Sequence, residues 1–162
     1  MQHSHRAVAP GVMRALEAYL RAVGGSALGR YVDPEGEFQS LDASGWELIH
    51  QEMRADDWAV VRLFDAGAAE YRYRFEYHGR QLVDLSGAPS PVAVSEVSGW
   101  LPTEFLEEQG PARVRELALD MAGSLPFCSG HVGLSFNGGA RSGRRQKRSH
   151  QAVLSLPRHR RP

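Results

Sequence analysis

Apolar residues recur at helical spacing soon after the chain begins. Pro10 sits where a helix can open, because proline's fixed φ suits the first turn and its missing N–H is not needed there. Val12, Leu16, Tyr19, Leu20 and Val23 follow, and Gly24 and Gly25 supply a stop. The spacing predicts an amphipathic helix. In GRYVDPEGEFQSLD, Asp33, Pro34 and Gly36 predict a turn. A second helix is expected from Asp42 or Ser44, either of which can cap its first amides, to Ala55, with Trp46, Ile49 and Met53 on one stripe.

The period then changes. DWAVVRLFD, residues 57–65, is rich in β-branched and aromatic residues. EYRYRFEYHG alternates strictly, so Tyr71, Tyr73, Phe75 and Tyr77 face one way and Arg72, Arg74, Glu76 and His78 the other. The short AGAA between the two predicts a hairpin. PVAVSEVSGWLP also alternates and predicts a third strand with Val92, Val94 and Val97 inward. Pro102–Gln109 reads as a short helix, and Pro111 opens another whose apolar face is Val114, Leu117, Ala118 and Met121. PFCSGHVGLSFN closes the patterned region as a loop and a short strand over 131–136. From Asn137 the patterning stops, AVLSL at 152–156 being the one apolar cluster, and the segment is expected to be disordered. The expected fold is α+β: a mostly antiparallel sheet, from segments near 57–65, 69–78, 91–100 and 131–136, covered by amphipathic helices. It forms a single domain over 1–136, followed by a tail over 137–162.

A chain of 162 residues buries enough surface to fold without disulfides or metal. Cys128 is the lone cysteine, so no internal disulfide forms. The first residues lack the apolar run of a secretory signal, and no stretch is long enough to span a membrane. A cytoplasmic protein with no membrane partner is expected, unless a route other than a signal peptide exports it. The net charge of zero conceals an asymmetry. Residues 1–136 carry 11 Arg and Lys against 19 Asp and Glu, a net of −8, whereas residues 137–162 carry 8 basic residues and no acid. All but one of the basic residues are arginine, the exception being Lys147, as a GC-rich coding sequence would produce.

Chemistry-bearing patterns are sparse. Cys128 and His131 are spaced like two metal ligands, but zinc needs three or four and no further Cys or His pair lies near, so a structural thiol and a loop histidine are expected, with no metal and no cofactor. His3 and His5 read as exposed terminal histidines. No G-x-x-x-x-G-K-[ST] phosphate loop occurs, and GLSFN lacks the second glycine of a nucleophile elbow. The pairs Asp56, Asp57 and Glu107, Glu108 read as solvated helix ends, so no catalytic residue is assigned and no enzyme is expected. An aromatic sheet with arginines beside it is one way of holding single-stranded RNA. Here the aromatics of 71–77 share one face and the arginines the other, which predicts rings packed under helices and arginines facing solvent or acids.

Several long stretches carry a family likeness: GRYVD, YRFEYHG, WLPTEFLEE with Gly110, Pro111 and RVRELAL behind it, and PFCSGHVGLSFN. Over residues 3–137 the chain resembles the bacterial type VI secretion immunity family, cognate protectors in contact-dependent toxin systems, some of which guard against VRR-Nuc nuclease effectors. The resemblance implies an immunity protein that binds a cognate effector toxin and occludes it, in bacterial competition. Proteins of that family continue beyond the equivalent of GLSFN and begin earlier, so this chain is expected to be truncated, as a working protector or as an inactive copy. Two explanations stand for the basic run from 138: translation in a shifted frame of a GC-rich gene, or an arm that binds nucleic acid through phosphates, the alternative function. Candidate toxin contacts are Asp33, Glu35, Glu37, Glu104, Glu107 and Glu108, whose charge suits a basic nuclease, with Trp100 as an anchor.

Overall fold

The computed structural model describes residues 1, 3–67, 72–81 and 93–135. In chain order its elements are α1 (His5–Val23), β1 (Arg30–Val32), β2 (Phe38–Ser40), α2 (Ala43–Met53), β3 (Ala59–Phe64), β4 (Arg74–Gly79), β5 (Glu96–Trp100) and α3 (Thr103–Gly123). The strands form one sheet in the order β2-β1-β3-β4-β5, every pair antiparallel. The fold is α+β, as the patterning predicts, and the expected tail over 137–162 lies outside the described residues.

Helix α1 forms the centre of the core. Val8, Val12, Leu16 and Tyr19 recur every three or four residues, and all four are buried against Val61, Leu63, Phe75 and Tyr77 of the sheet. Burying side chains of this size contributes about 1.5–3 kcal/mol each, far more than helix propensity supplies. The helix starts at His5 rather than at Pro10, which lies exposed inside its second turn. Packing of Val8 and Ala9 and a hydrogen bond from the His5 amide to the Arg80 carbonyl (3.1 Å) hold the additional turn. That turn makes His5 fully buried, correcting the expectation of an exposed terminal histidine. At Gly11 the helix meets the end of α3 so closely that a Cβ would overlap the Ser124 carbonyl oxygen.

Helix α2 begins where a cap was foreseen: the Asp42 carboxylate accepts from the amides of Ser44 and Gly45, each at 3.0 Å. Its Ile49 and Met53 join the same core, placing α2 and α1 on one face of the sheet. The segment read only as a turn is a hairpin, β1 and β2 closed by Asp33–Glu37, with Gly36 at φ 93°. Strands of three residues leave too short an alternation to register in sequence. Glu96–Trp100 is the third expected strand, but Val94 is exposed and lies before it. Period-2 alternation cannot turn Val94 and Val97 the same way, and pairing with Tyr77 sends Val97 to the core. Residues 131–135 form no strand and are exposed, so that expectation fails also. The two helices expected around Gly110 form α3, broken where Gly110 takes φ 77° and ψ 164°.

Candidate partner-binding surface

Strand parity gives the sheet two unlike faces. Ala59, Val61, Leu63, Phe75 and Tyr77 point to α1 and α2 and are buried. The other face presents Val60, Arg62 and Phe64 on β3, Arg74, Glu76 and His78 on β4, and Glu96, Ser98 and Trp100 on β5, matched by the registers Val60↔His78↔Glu96, Arg62↔Glu76↔Ser98 and Phe64↔Arg74↔Trp100. Among the described residues no helix lies over this second face.

Arginine and aromatic side chains interleave along one end of it. The Arg74 guanidinium carbon sits 5.3 Å from the Phe64 ring centre and 5.4 Å from that of Trp100, while Arg30 lies 5.0 Å over Phe38, whose ring meets Phe64 edge-on at 5.3 Å. Such cation–π stacking contributes about 0.5–1 kcal/mol at exposed sites and more where water is excluded. Arg74 also donates to Glu76 at 2.5 Å. Behind this row, the Tyr19 hydroxyl donates to the Trp100 carbonyl (2.5 Å) and accepts from the Arg74 amide (3.2 Å), fixing both strands to α1. Burial raises the Tyr19 hydroxyl well above its ordinary pKa, keeping it protonated and able to donate.

In the middle of the face Arg62 is half-buried, with no hydrogen bond or ion pair among the described residues, and its Nε is shut off from solvent. Its cross-strand neighbour Glu76 is occupied by Arg74. Toward the other end, Trp58, Val60, His78, Val94 and Glu96 help line an open groove of about 1000 Å³. Trp58 is 63% exposed and Val94 45%.

The structure separates the acids proposed from sequence. Asp33, Glu35 and Glu37 lie in the β1–β2 turn, at the edge and end of the sheet where β3 begins. Glu104, Glu107 and Glu108 begin α3, beyond the opposite edge strand and at the opposite end. Four strand spacings, about 19 Å, divide β2 from β5. Asp33 serves the turn itself: its carboxylate accepts from Gln39 Nε2 (2.7 Å) and the Glu37 amide (2.8 Å), and these bonds hold its pKa below the usual carboxylate value. Glu104 pairs with Arg72 at 3.2 Å, and its pKa is lowered by its own backbone amide and by Arg72. Glu35, Glu37, Glu107 and Glu108 are exposed, whereas Trp100 is half-buried on the open face. Trp58, Arg62 and Phe64 escaped the sequence reading, although DWAVVRLFD sets them on one parity, opposite Ala59, Val61 and Leu63.

Elsewhere the polar chemistry is structural. Phe75 and Tyr77 are buried and Tyr73 packs against the core, as the alternation predicts, while Tyr71 lies outside the described residues. His5 Nδ1 and the Tyr77 hydroxyl share a buried hydrogen bond of 2.8 Å. Burial lowers the His5 pKa and pushes the Tyr77 hydroxyl up to about 12, so both groups of this pair are kept uncharged. Cys128 and His131 are both exposed, and among the described residues no three His, Cys, Asp or Glu side chains gather to hold a metal. No described helix is long and apolar enough to cross a membrane. In comparison with known proteins, a family model described as type VI immunity for VRR-NUC matches residues 11–157, a range that takes in most of the basic segment after Asn137. No curated protein and no solved structure matches the chain.

Proposed function

The chain belongs to the type VI immunity for VRR-NUC family, and from that premise we propose that it binds a VRR-Nuc effector and neutralises it by covering the effector's active site or substrate path. The family match across residues 11–157 is the observation that carries this reading. Inhibition by occupancy requires a stable complementary surface and no catalytic residue in the protector. The rigid sheet, held to its helices by the core around Tyr19 and Phe75, supplies such a scaffold.

Charge adds a kinetic argument. A nuclease must attract phosphates, so its substrate path is basic, and a protector carrying −8 over residues 1–136 is drawn toward it. The exposed acids Glu35, Glu37, Glu107 and Glu108, with Glu104 beside Arg72, speed the encounter, and Asp33 shapes the turn that presents the first two. Trp100, half-buried under Arg74, stiffens the face next to them. Co-expression in a bacterial host tests the function. The chain is expected to restore growth to cells making an active VRR-Nuc effector, and the purified pair to show stoichiometric loss of nuclease activity. A soluble, folded chain that forms no complex and spares no cells overturns the proposal.

A further inference from the structure

Resting on the immunity reading, we infer that the effector docks on the uncovered sheet face, centred on Arg62, through a patch of its own that carries carboxylates. Arg62 makes the first argument. Its side chain is half-buried and its Nε is shut off from solvent with no acceptor among the described residues, while Arg74 already engages the neighbouring Glu76, so on this face the guanidinium has no counter-charge of its own. A carboxylate brought by a partner completes the arrangement.

Local charge makes the second. Within a body of net −8, the strands of this face carry Arg30, Arg62 and Arg74 against Glu76 and Glu96, a small cationic excess. The patch that fits it is anionic, the reverse of what the acidic loops attract. Composition and size make the third. Arginine and tryptophan are enriched where interfaces are tightest, and the exposed Trp58 stands beside a groove able to take a partner's side chains. Five strands of up to six residues make a face of roughly 20 by 20 Å. That is about half of the ~800 Å² that each partner contributes to a standard interface, and the groove beside Trp58 extends it. Stacking of Arg74 between Phe64 and Trp100 leaves little side-chain entropy to lose on docking. The acid groups at two opposite corners then act on approach, while the face between them sets how long the complex lasts.

Interferometry with the full chain and a purified, nuclease-inactivated VRR-Nuc effector tests this division. Trp58→Ala and Arg62→Gln are each expected to speed dissociation by about tenfold or more. The pairs Glu35→Lys with Glu37→Lys, and Glu107→Lys with Glu108→Lys, are expected to slow association and change dissociation by less than about threefold. Melting curves verify folding. Because Trp58 is 63% exposed, its truncation leaves the core closed and remains decisive if Arg62→Gln proves unstable. Unchanged dissociation in both face variants, with tight binding by the parent chain, overturns the docking face and leaves the immunity reading intact. Absence of binding by the parent chain overturns both. An oligothymidylate that binds the parent chain and loses affinity in the face variants, with effector binding unaffected, makes the face a nucleic-acid platform and overturns the inference as well.

Discussion

Removing one oxygen atom, by Tyr19→Phe, tests the junction on which the fold's central packing depends. The side chain is fully buried, and its hydroxyl makes two bonds, donating to the Trp100 carbonyl at 2.5 Å and accepting from the Arg74 amide at 3.2 Å. Phenylalanine keeps the ring against Phe75, whose centre lies 5.8 Å away, so almost no apolar contact is lost. What remains is a backbone carbonyl and a backbone amide deprived of that partner next to a closed core. A lost internal hydrogen bond costs about 0.5–1.5 kcal/mol, and a buried group left unsatisfied about 1–3 kcal/mol. The two together place the loss at about 2–4 kcal/mol. At about 2–4 °C per kcal/mol for a chain of this length, the melting temperature is expected to fall by roughly 5–15 °C. Urea unfolding should show a lower midpoint with an unchanged slope, since the surface exposed on unfolding is the same. Hydrogen exchange at the Arg74 amide should quicken by more than that at Val61. A stability change below about 0.5 kcal/mol would refute the reasoning, because it would mean that water or a small strand shift satisfies both groups.

Gly11→Ala places a methyl group against the Ser124 carbonyl; the steric cost of about 1–3 kcal/mol outweighs the ~1 kcal/mol gained in helix propensity, and denaturation should show a net loss. Burial depresses the His5 pKa, so below 6.5 the unfolded chain takes up a proton that the folded chain refuses. Stability contributed by the neutral imidazole is therefore full above pH 6.5 and falls as the pH drops below it; urea midpoints between pH 7.5 and 5 should show this slope, flatter in His5→Asn. Asp33 and Asp42, held below their ordinary 3.8, release their contribution only at more acid pH and do not confuse that window. Asp42→Ala removes the acceptor for the Ser44 and Gly45 amides and should lower the melting temperature, measured by thermal unfolding.

Sequence was sufficient wherever a run was long enough for its period to show and one face met water. The stripe from Val12 to Val23, the cap at Asp42, the alternation from Arg72 to His78 and the break at Gly110 and Pro111 are local facts, set by side-chain spacing and backbone dihedrals, and the structure repeats them. Three-residue strands and the six-residue segment 131–136 lack that statistical weight. Hence β1 and β2 read as a turn in sequence and 131–136 as a strand. The burial of His5 was equally hidden, because it depends on Tyr77 and Arg80, more than seventy residues away.

The family was legible too, in long ordered motifs such as WLPTEFLEE, and with it the expectation of a protector. The layout of its surface was not. Acids were singled out because charge can be read from a string, but only the sheet's strand order sets the two acid groups at opposite corners. Only cross-strand register joins Arg74 to Phe64 and Trp100, gives Glu76 to Arg74, and leaves Arg62 without a counter-charge among the described residues. Spacing along a chain determines which way a side chain points; pairing between distant strands determines what it meets there, and that decided the character of this face.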